Sequence, residues 1–289
     1  MQQLDIFADS EPVQRANDLI GALAHLDRIA ARQAMRDLVA VDQHNAVLPR
    51  FQVLCDFVEH WDERCDQHDL EAIVAEEQLI REHIVPASVV MGSAGGKLIH
   101  KCWGLLAKKS ESAGVPFGNQ NCFAAELYLR AQQFDDAVRT VKEMTDGQLF
   151  AEVQRWLALG YAGCGKAEQA REPVLRFAWL SPERFDDLVD EMRNVELLQD
   201  WDSFQFDLDE LDATWFPAWC ALGKNFGIAI VDNFPASDGS RAYQLVMSLV
   251  SGERSGVHCK DERARLKKLN ESFFAFYLAR QAQLHPRKN

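Results

Sequence analysis

Long apolar runs are missing from this 289-residue chain, and no uncharged stretch reaches the roughly 18 residues that a membrane span requires. Basic residues are also in short supply. With 31 lysines and arginines against 44 acids, the formal net charge is −13. That argues against a nucleic-acid backbone as partner, which needs dense Lys and Arg, and against docking on an anionic membrane surface. Residues 1–12 hold acids and no basic stretch ahead of an apolar one, so no secretory signal is read there. The cysteines at 55, 65, 102, 122, 164, 220 and 259 are odd in number and evenly spread. They suit reduced thiols better than a disulfide framework, and a cytoplasmic location is expected.

Helix breakers are scarce at the start. From Met1 to Val90 there is one glycine, Gly21, and prolines stand only at 12, 49 and 86. Long helices are the natural reading. Ser10 caps a helix carrying Leu19, Leu23, Leu26 and Ala30 at helical spacing, and Leu38 and Val41 close a second face before Asp42–Asn45. Pro49 opens a helix with Phe51, Leu54, Val58 and Trp61 on one side. After a turn at 66–69, the apolar series Leu70, Ile73, Val74, Leu79, Ile80, Ile84 runs to an expected stop at Pro86. Paired helices joined by short polar turns read as αα-hairpins. Gly92–Gly96 interrupts the helical text, Leu98–Lys108 reads as a short helix, and 110–120 as a loop. The expected division is 1–111 for N-terminal hairpins, 119–195 for repeats, and 196–289 for an acidic aromatic segment and C-terminal helices. The three parts are also compatible with one continuous stack.

Two segments between about 119 and 182 align at an offset of 33 residues, with Tyr128 on Tyr161, Ala137 on Ala170 and Val141 on Val174. In the second segment Leu157, Tyr161, Gly165, Ala170 and Pro182 take the positions of a repeat's Leu, Tyr, turn Gly, small Ala and closing Pro. In the first, Ala125, Tyr128 and Ala137 match. A period of about 34 residues in helix–turn–helix units resembles the tetratricopeptide repeat. There are departures: Gln132 replaces the turn glycine, Leu149 replaces the first closing proline, and Pro173 falls inside a predicted helix. The proline should kink that helix at a cost of about 3 kcal/mol unless accommodated. Residues 12–41 form a weaker third candidate hairpin. The resemblance implies an all-α, right-handed αα-superhelix of hairpins, with a C-terminal helical cap at about 260–284. It also implies a groove lined by the first helix of each unit: Asn119, Cys122, Glu126 and Arg130, then Glu152, Arg155 and Leu159.

From Asp186 to Asp212 the sequence holds eleven acids against one base, Arg193. Trp201, Phe204, Phe206, Leu208 and Leu211 are interleaved with them, and Trp215, Phe216 and Trp219 follow. Two readings stand here. One is a docking surface centred on Trp201, Asp202, Phe204, Phe206, Asp207 and Asp209, with aromatic anchors ringed by charge. The other is a connector whose aromatics are core and whose acids are solvated. Phe226–Val231 is the only strand-like run, and a buried helix fits it nearly as well.

Catalytic and metal signatures are weak. Gly92–Lys97 approaches a phosphate loop but is one residue short, with Leu98 in place of the magnesium-binding Ser or Thr. Cys55, His60 and Cys65, with His68 nearby, have partial zinc-knuckle spacing, yet Gln52 stands at the expected earlier cysteine. No acid lies three residues before any histidine, as di-iron bundles need. Asp200, Asp202, Asp207 and Asp209 lack the glycine and terminal Glu of an EF-hand loop. No cofactor or metal is expected. The expected function is non-enzymatic protein or peptide binding, as scaffold, adaptor or chaperone-like partner. The alternatives are an enzyme or ligand-binding protein with an acidic, divalent-cation site near 200–212, and a structural subunit of a larger complex.

Overall fold

The computed structural model describes residues 10–61, 69–144, 150–223, 236–254 and 259–284. Among these the fold is all-α, with no strand, and no helix is long and apolar enough to cross a membrane. The strand-like run 226–231, and with it the zinc-spaced Cys65 and His68, lie outside the described residues. Contacts divide the chain into two compact units, 1–140 and 141–289.

The N-terminal unit begins with α1 (Glu11–His25), α2 (Arg28–Val41) and α3 (Leu48–Glu59). Their apolar stripes bury Leu19, Leu23, Leu38, Phe51 and Leu54 completely or nearly so, as the helical spacing predicts. Helix α4 (Leu70–Leu79) starts on Asp69, whose carboxylate accepts from the Ala72 amide at 2.8 Å. It does not stop at Pro86. A π-helical turn, Ile80–Ile84, passes into α5 (Val85–Ser88). Pro86 has no N–H for the Glu82 carbonyl, and its ring would crowd that carbonyl in a regular α-turn. The wider turn, closed by the Val85 amide on the Ile80 carbonyl, relieves the conflict.

Helix α6 (Ser93–Ala113) is twice the length expected, because only Gly92 breaks the text and Gly95 and Gly96 are helical. Gly95 is there for packing. A Cβ at that position would overlap the Ser88 carbonyl oxygen. The loop expected from residue 110 begins at Gly114, the left-handed cap of α6. Helices α7 (Ala124–Arg130) and α8 (Phe134–Lys142) follow, and α7 packs on α6 across the 114–123 connection. The division between units therefore falls inside α8, away from 112–120.

The C-terminal unit contains α9 (Ala151–Gly163), α10 (Ala167–Leu180), α11 (Phe185–Met192), α12 (Val195–Asp207), α13 (Phe216–Ala221), α14 (Asp238–Arg254), α15 (Lys260–Leu269) and α16 (Glu271–Leu284). Helix α10 runs through Pro173 to Leu180, with Pro173, Val174, Leu175 and Phe177 all buried. Burying that face offsets the missing backbone bond. The single helix expected over 260–284 is two. Asn270 leaves the helical conformation, and its side-chain oxygen accepts from the Phe273 amide at 2.7 Å, starting α16. Leu266, Phe273 and Tyr277 are buried, and Phe273 meets Trp215 at 5.2 Å between ring centroids. The last two helices thus close the core of this unit.

Three hairpins share one turn. The first helix ends on a left-handed residue: Leu26 (φ 58°), Gln132 (φ 58°) or Gly165 (φ 71°). Its amide bonds three residues back, and the next amide bonds five back: Asp27 to Ala22, Gln133 to Tyr128, Lys166 to Tyr161. The carbonyls of Asp27, Gln133 and Lys166 then accept the amides of Ala31, Ala137 and Ala170. The 33-residue offset between Gln132 and Gly165 is therefore structural as well as sequential, and α1–α2 has the same turn without that spacing. Ala137 and Ala170 are buried at equivalent places, while Tyr128 is buried and Tyr161 half-buried.

Glu111 of α6 also gathers Tyr128 of α7 and Arg139 of α8. The Tyr128 hydroxyl donates to Glu111 at 2.6 Å, and Arg139 donates to both oxygens of Glu111 at 2.6 and 3.2 Å. The Arg139 and Tyr128 hydrogen bonds hold the Glu111 carboxyl below its ordinary 4.5. A depressed carboxyl stabilises the fold above its unfolded pKa, and that contribution is lost as pH falls through the folded value. The expected result is an acid limb in the melting temperature, beginning near pH 4.5 and flattened in Arg139→Met. The pair is partly exposed, so its worth is under about 1 kcal/mol. Parallel acid limbs in the two proteins would refute the assignment.

Candidate functional site

Two of the residues expected in the groove of the first repeat, Asn119 and Cys122, line a polar cleft of about 410 Å³ in the N-terminal unit, whereas Glu126 and Arg130 do not line it. One wall is α4 and its π-helical turn, with Glu77, Gln78 and Arg81. The other is a short 3₁₀ turn, Gln120–Cys122, led in by Asn119. Ser110 pins this turn by donating its hydroxyl to the Cys122 carbonyl at 2.5 Å. The side chains of Asn119 and Cys122 line the cleft directly.

Glu77 organises the charges. Its side chain is only 5% exposed, and one oxygen accepts from Arg130 at 2.7 Å and Arg81 at 3.2 Å. Arg130 also donates to Glu126 at 3.1 Å, and its guanidinium lies 5.2 Å from the centre of the Trp103 ring. Stacking of this kind pre-orders an arginine that would otherwise sample many rotamers. Burial first, and the Glu77 charge second, push the Cys122 thiol up, with Arg130 opposing in part. The thiol form is thereby favoured further.

Glu126 and Arg130 are therefore held by an internal ion network that Glu77 and Arg81 complete. Sequence reasoning missed Glu77, Arg81 and Trp103. The four-residue spacing of Glu77 and Arg81 was visible, but nothing local marks Glu77 as buried.

The residues expected in the second repeat gather elsewhere, in the C-terminal unit. Arg155 grips Glu191 of α11 through two bonds, 2.9 and 2.6 Å long, and lies 3.7 Å from Glu152. Glu152 also pairs with Arg184. This network ties α9 to α11. Leu159 is half-buried and packs against the core of the same unit. The expected peptide-facing charges of this repeat are thus engaged with their own unit.

The acidic aromatic segment is ordered helix. Trp201, Phe204 and Leu208 face inward at helical spacing. Trp201 packs against Phe185 at 4.8 Å and Phe216 at 5.3 Å, and its indole N–H donates to Asp186 at 2.7 Å. Trp201 and Phe204 are core, which removes them as docking anchors. Phe206 is the reverse: 89% exposed, on the outer face of α12 with Val195, Gln199 and Asp202. Asp202, Asp207 and Asp209 are exposed, and Asp207 accepts the Trp219 indole N–H at 3.0 Å. Asp200, Asp202, Asp207 and Asp209 do not converge as ligands. Among the described residues no three His, Cys, Asp or Glu side chains gather closely enough to hold a metal ion.

No family model, curated protein or solved structure matches this chain.

Proposed function

We propose that this protein is a non-enzymatic, tetratricopeptide-like scaffold or adaptor that binds another protein through the outer face of α12. Phe206 carries the reading. Every other large aromatic of α11–α13 is buried or half-buried, and a phenylalanine left 89% in water among carboxylates gains most by entering a partner's apolar pocket. The shared turn of the three hairpins supports the repeat architecture. The polar cleft at Asn119, with its amide-rich rim of Asn119, Gln120 and Asn121 facing Gln78, is a second surface suited to an extended peptide.

The partner of α12 is a basic segment carrying an apolar side chain. Asp202, Asp207, Asp209 and Glu210 surround Phe206, and a second copy of the chain would bring like charge to the same place. Deleting residues 198–216 would be a poor test, because it removes Trp201, Phe204 and Phe216 from the core. Point variants are better. Full-length protein is expected to capture a partner that elutes as salt rises. Capture should be lost with Phe206→Ser and with Asp202→Lys/Asp209→Lys, and kept with Ile29→Ser, an equally bare apolar site on α2. Equal capture by wild type and Phe206→Ser, or none by either, would sink the reading.

A further inference from the structure

The larger cleft of the C-terminal unit, about 610 Å³, opens between α10 and the α11–α12 connection. Its buried apolar lining is Ala170, Val174 and Leu197, with half-buried Ala162 and exposed Ala167 beside them. Its polar wall is uneven. Arg171 donates to Glu168 at 2.7 Å. Asp200, half-buried on α12, has no hydrogen-bond donor among the described residues, and Glu196 stands one turn away on the same helix.

Three carboxylates therefore face one arginine, and the half-buried one, Asp200, is unpaired. We propose that this cleft binds an organic cation with a hydrocarbon stem, its guanidinium or ammonium group on Asp200 and its stem over Ala167, Ala170 and Val174. The size is that of a small-ligand site, and the lining is half apolar and half polar, which suits a ligand with a stem and a charged end. A partly desolvated carboxylate recovers most from a charge-assisted, forked donor. The other ligand classes fit worse. A metal ion lacks convergent ligands, an anion meets net negative charge, and a neutral stem leaves Asp200 unpaired.

The electrostatics run the same way. Desolvation first, then the Glu196 charge, push the Asp200 carboxyl above its ordinary 3.8, with Arg171 opposing. Behind it Cys220 is fully buried, its thiol pushed well up by burial and then by Asp200, so it stays neutral. A bound cation would give Asp200 a direct partner, against the opposing charge of Arg171 across the cleft. Such a cation is either a free amine or an arginine or lysine side chain of a bound segment. Asp200 lies about 9 Å along α12 from Phe206, at 1.5 Å per residue, within reach of one segment covering both.

The test is calorimetric titration of the full chain with agmatine, a butyl stem carrying a guanidinium at one end and an ammonium at the other. Saturable binding is expected, weakened about tenfold or more in Asp200→Asn, the loss of one charged hydrogen-bond partner. Ala167→Leu, which narrows the mouth, should weaken it as well, and both variants should melt as wild type does. Pentanol and glutarate, the stem without the cation and an anion of similar length, should not bind. Acetyl-arginine methylamide binding as well as agmatine identifies a partner's side chain as the source, and agmatine binding alone identifies a free amine. Phe206→Ser should leave agmatine binding intact, so this site stands or falls apart from the docking face. No saturable binding to wild type, or unchanged affinity in Asp200→Asn, would overturn the proposal.

Discussion

Replacing Lys109 with leucine is expected to destabilise the N-terminal unit by about 3–5 kcal/mol, the usual result of leaving a buried charge without its partner. Lys109 on α6 donates to Glu76 on α4 at 2.6 Å, and the two side chains are 7% and 5% exposed. The second carboxylate oxygen of Glu76 has no hydrogen-bond partner among the described residues, so removal of the ammonium leaves the charge with almost nothing. Single domains are stable by only about 5–15 kcal/mol, so the loss is a large fraction of the total. Adding Glu76→Leu should restore most of it, because an apolar pair of similar volume avoids the desolvation cost on both sides. Hydrogen exchange of the 70–113 amides in the full chain measures this unit without assuming that the whole protein unfolds in one step. A single variant as protected as wild type would refute the account. So would a double variant no better than the single.

That pair shows where sequence reasoning ran out. Glu76 and Glu77 look like ordinary solvated charge on an amphipathic helix. Neighbouring helical positions point about 100° apart, and here each direction meets a different base. Glu76 goes to Lys109 of α6, and Glu77 goes to Arg130 of α7. Both burials depend on helices 33 and 53 residues away, which no local pattern reports. Local information served well where local forces decide. The stripes of α1–α3 and the turns of the 33-residue repeat lie within a few residues of their cause, although Ser10, expected as a cap, makes no side-chain cap bond to α1. Gln132 occupies the turn in the same left-handed state as Gly165, so its departure from the repeat pattern changed the residue and kept the geometry.

The acidic segment lies between these cases. Trp201, Phe204 and Leu208 keep the three- and four-residue spacing of a buried stripe, and Phe206 is out of phase with it. Helical phase alone separates the core aromatics from the exposed one. Grouping them by composition hid the distinction. The polar cleft was partly legible: Asn119 and Cys122, picked from the repeat register, line it, while Glu126 and Arg130 do not, and the opposite wall comes from a helix outside the repeat.

The neighbouring glycines of α6 should respond to alanine with opposite signs. At Gly96 the added methyl meets nothing within 4 Å, and the position is exposed and helical. Alanine there removes backbone freedom from the unfolded chain and should stabilise by about 0.5–1 kcal/mol. At Gly95 the methyl would overlap the Ser88 carbonyl oxygen and crowd its carbon at 3.1 Å and the Ser88 Cβ at 3.3 Å. These are mainly backbone atoms, held where the short helix α5 meets the start of α6, and they cannot turn aside as a flexible side chain does. The same propensity gain is therefore overwhelmed by overpacking, with a net loss of about 3 kcal/mol expected. Gly95→Ala should also loosen the junction it wedges apart, seen as faster exchange of the 85–98 amides, whereas Gly96→Ala should slow it. Two alanines of like sign would mean that helix propensity governs this junction and that the close approach of Ser88 does not constrain it.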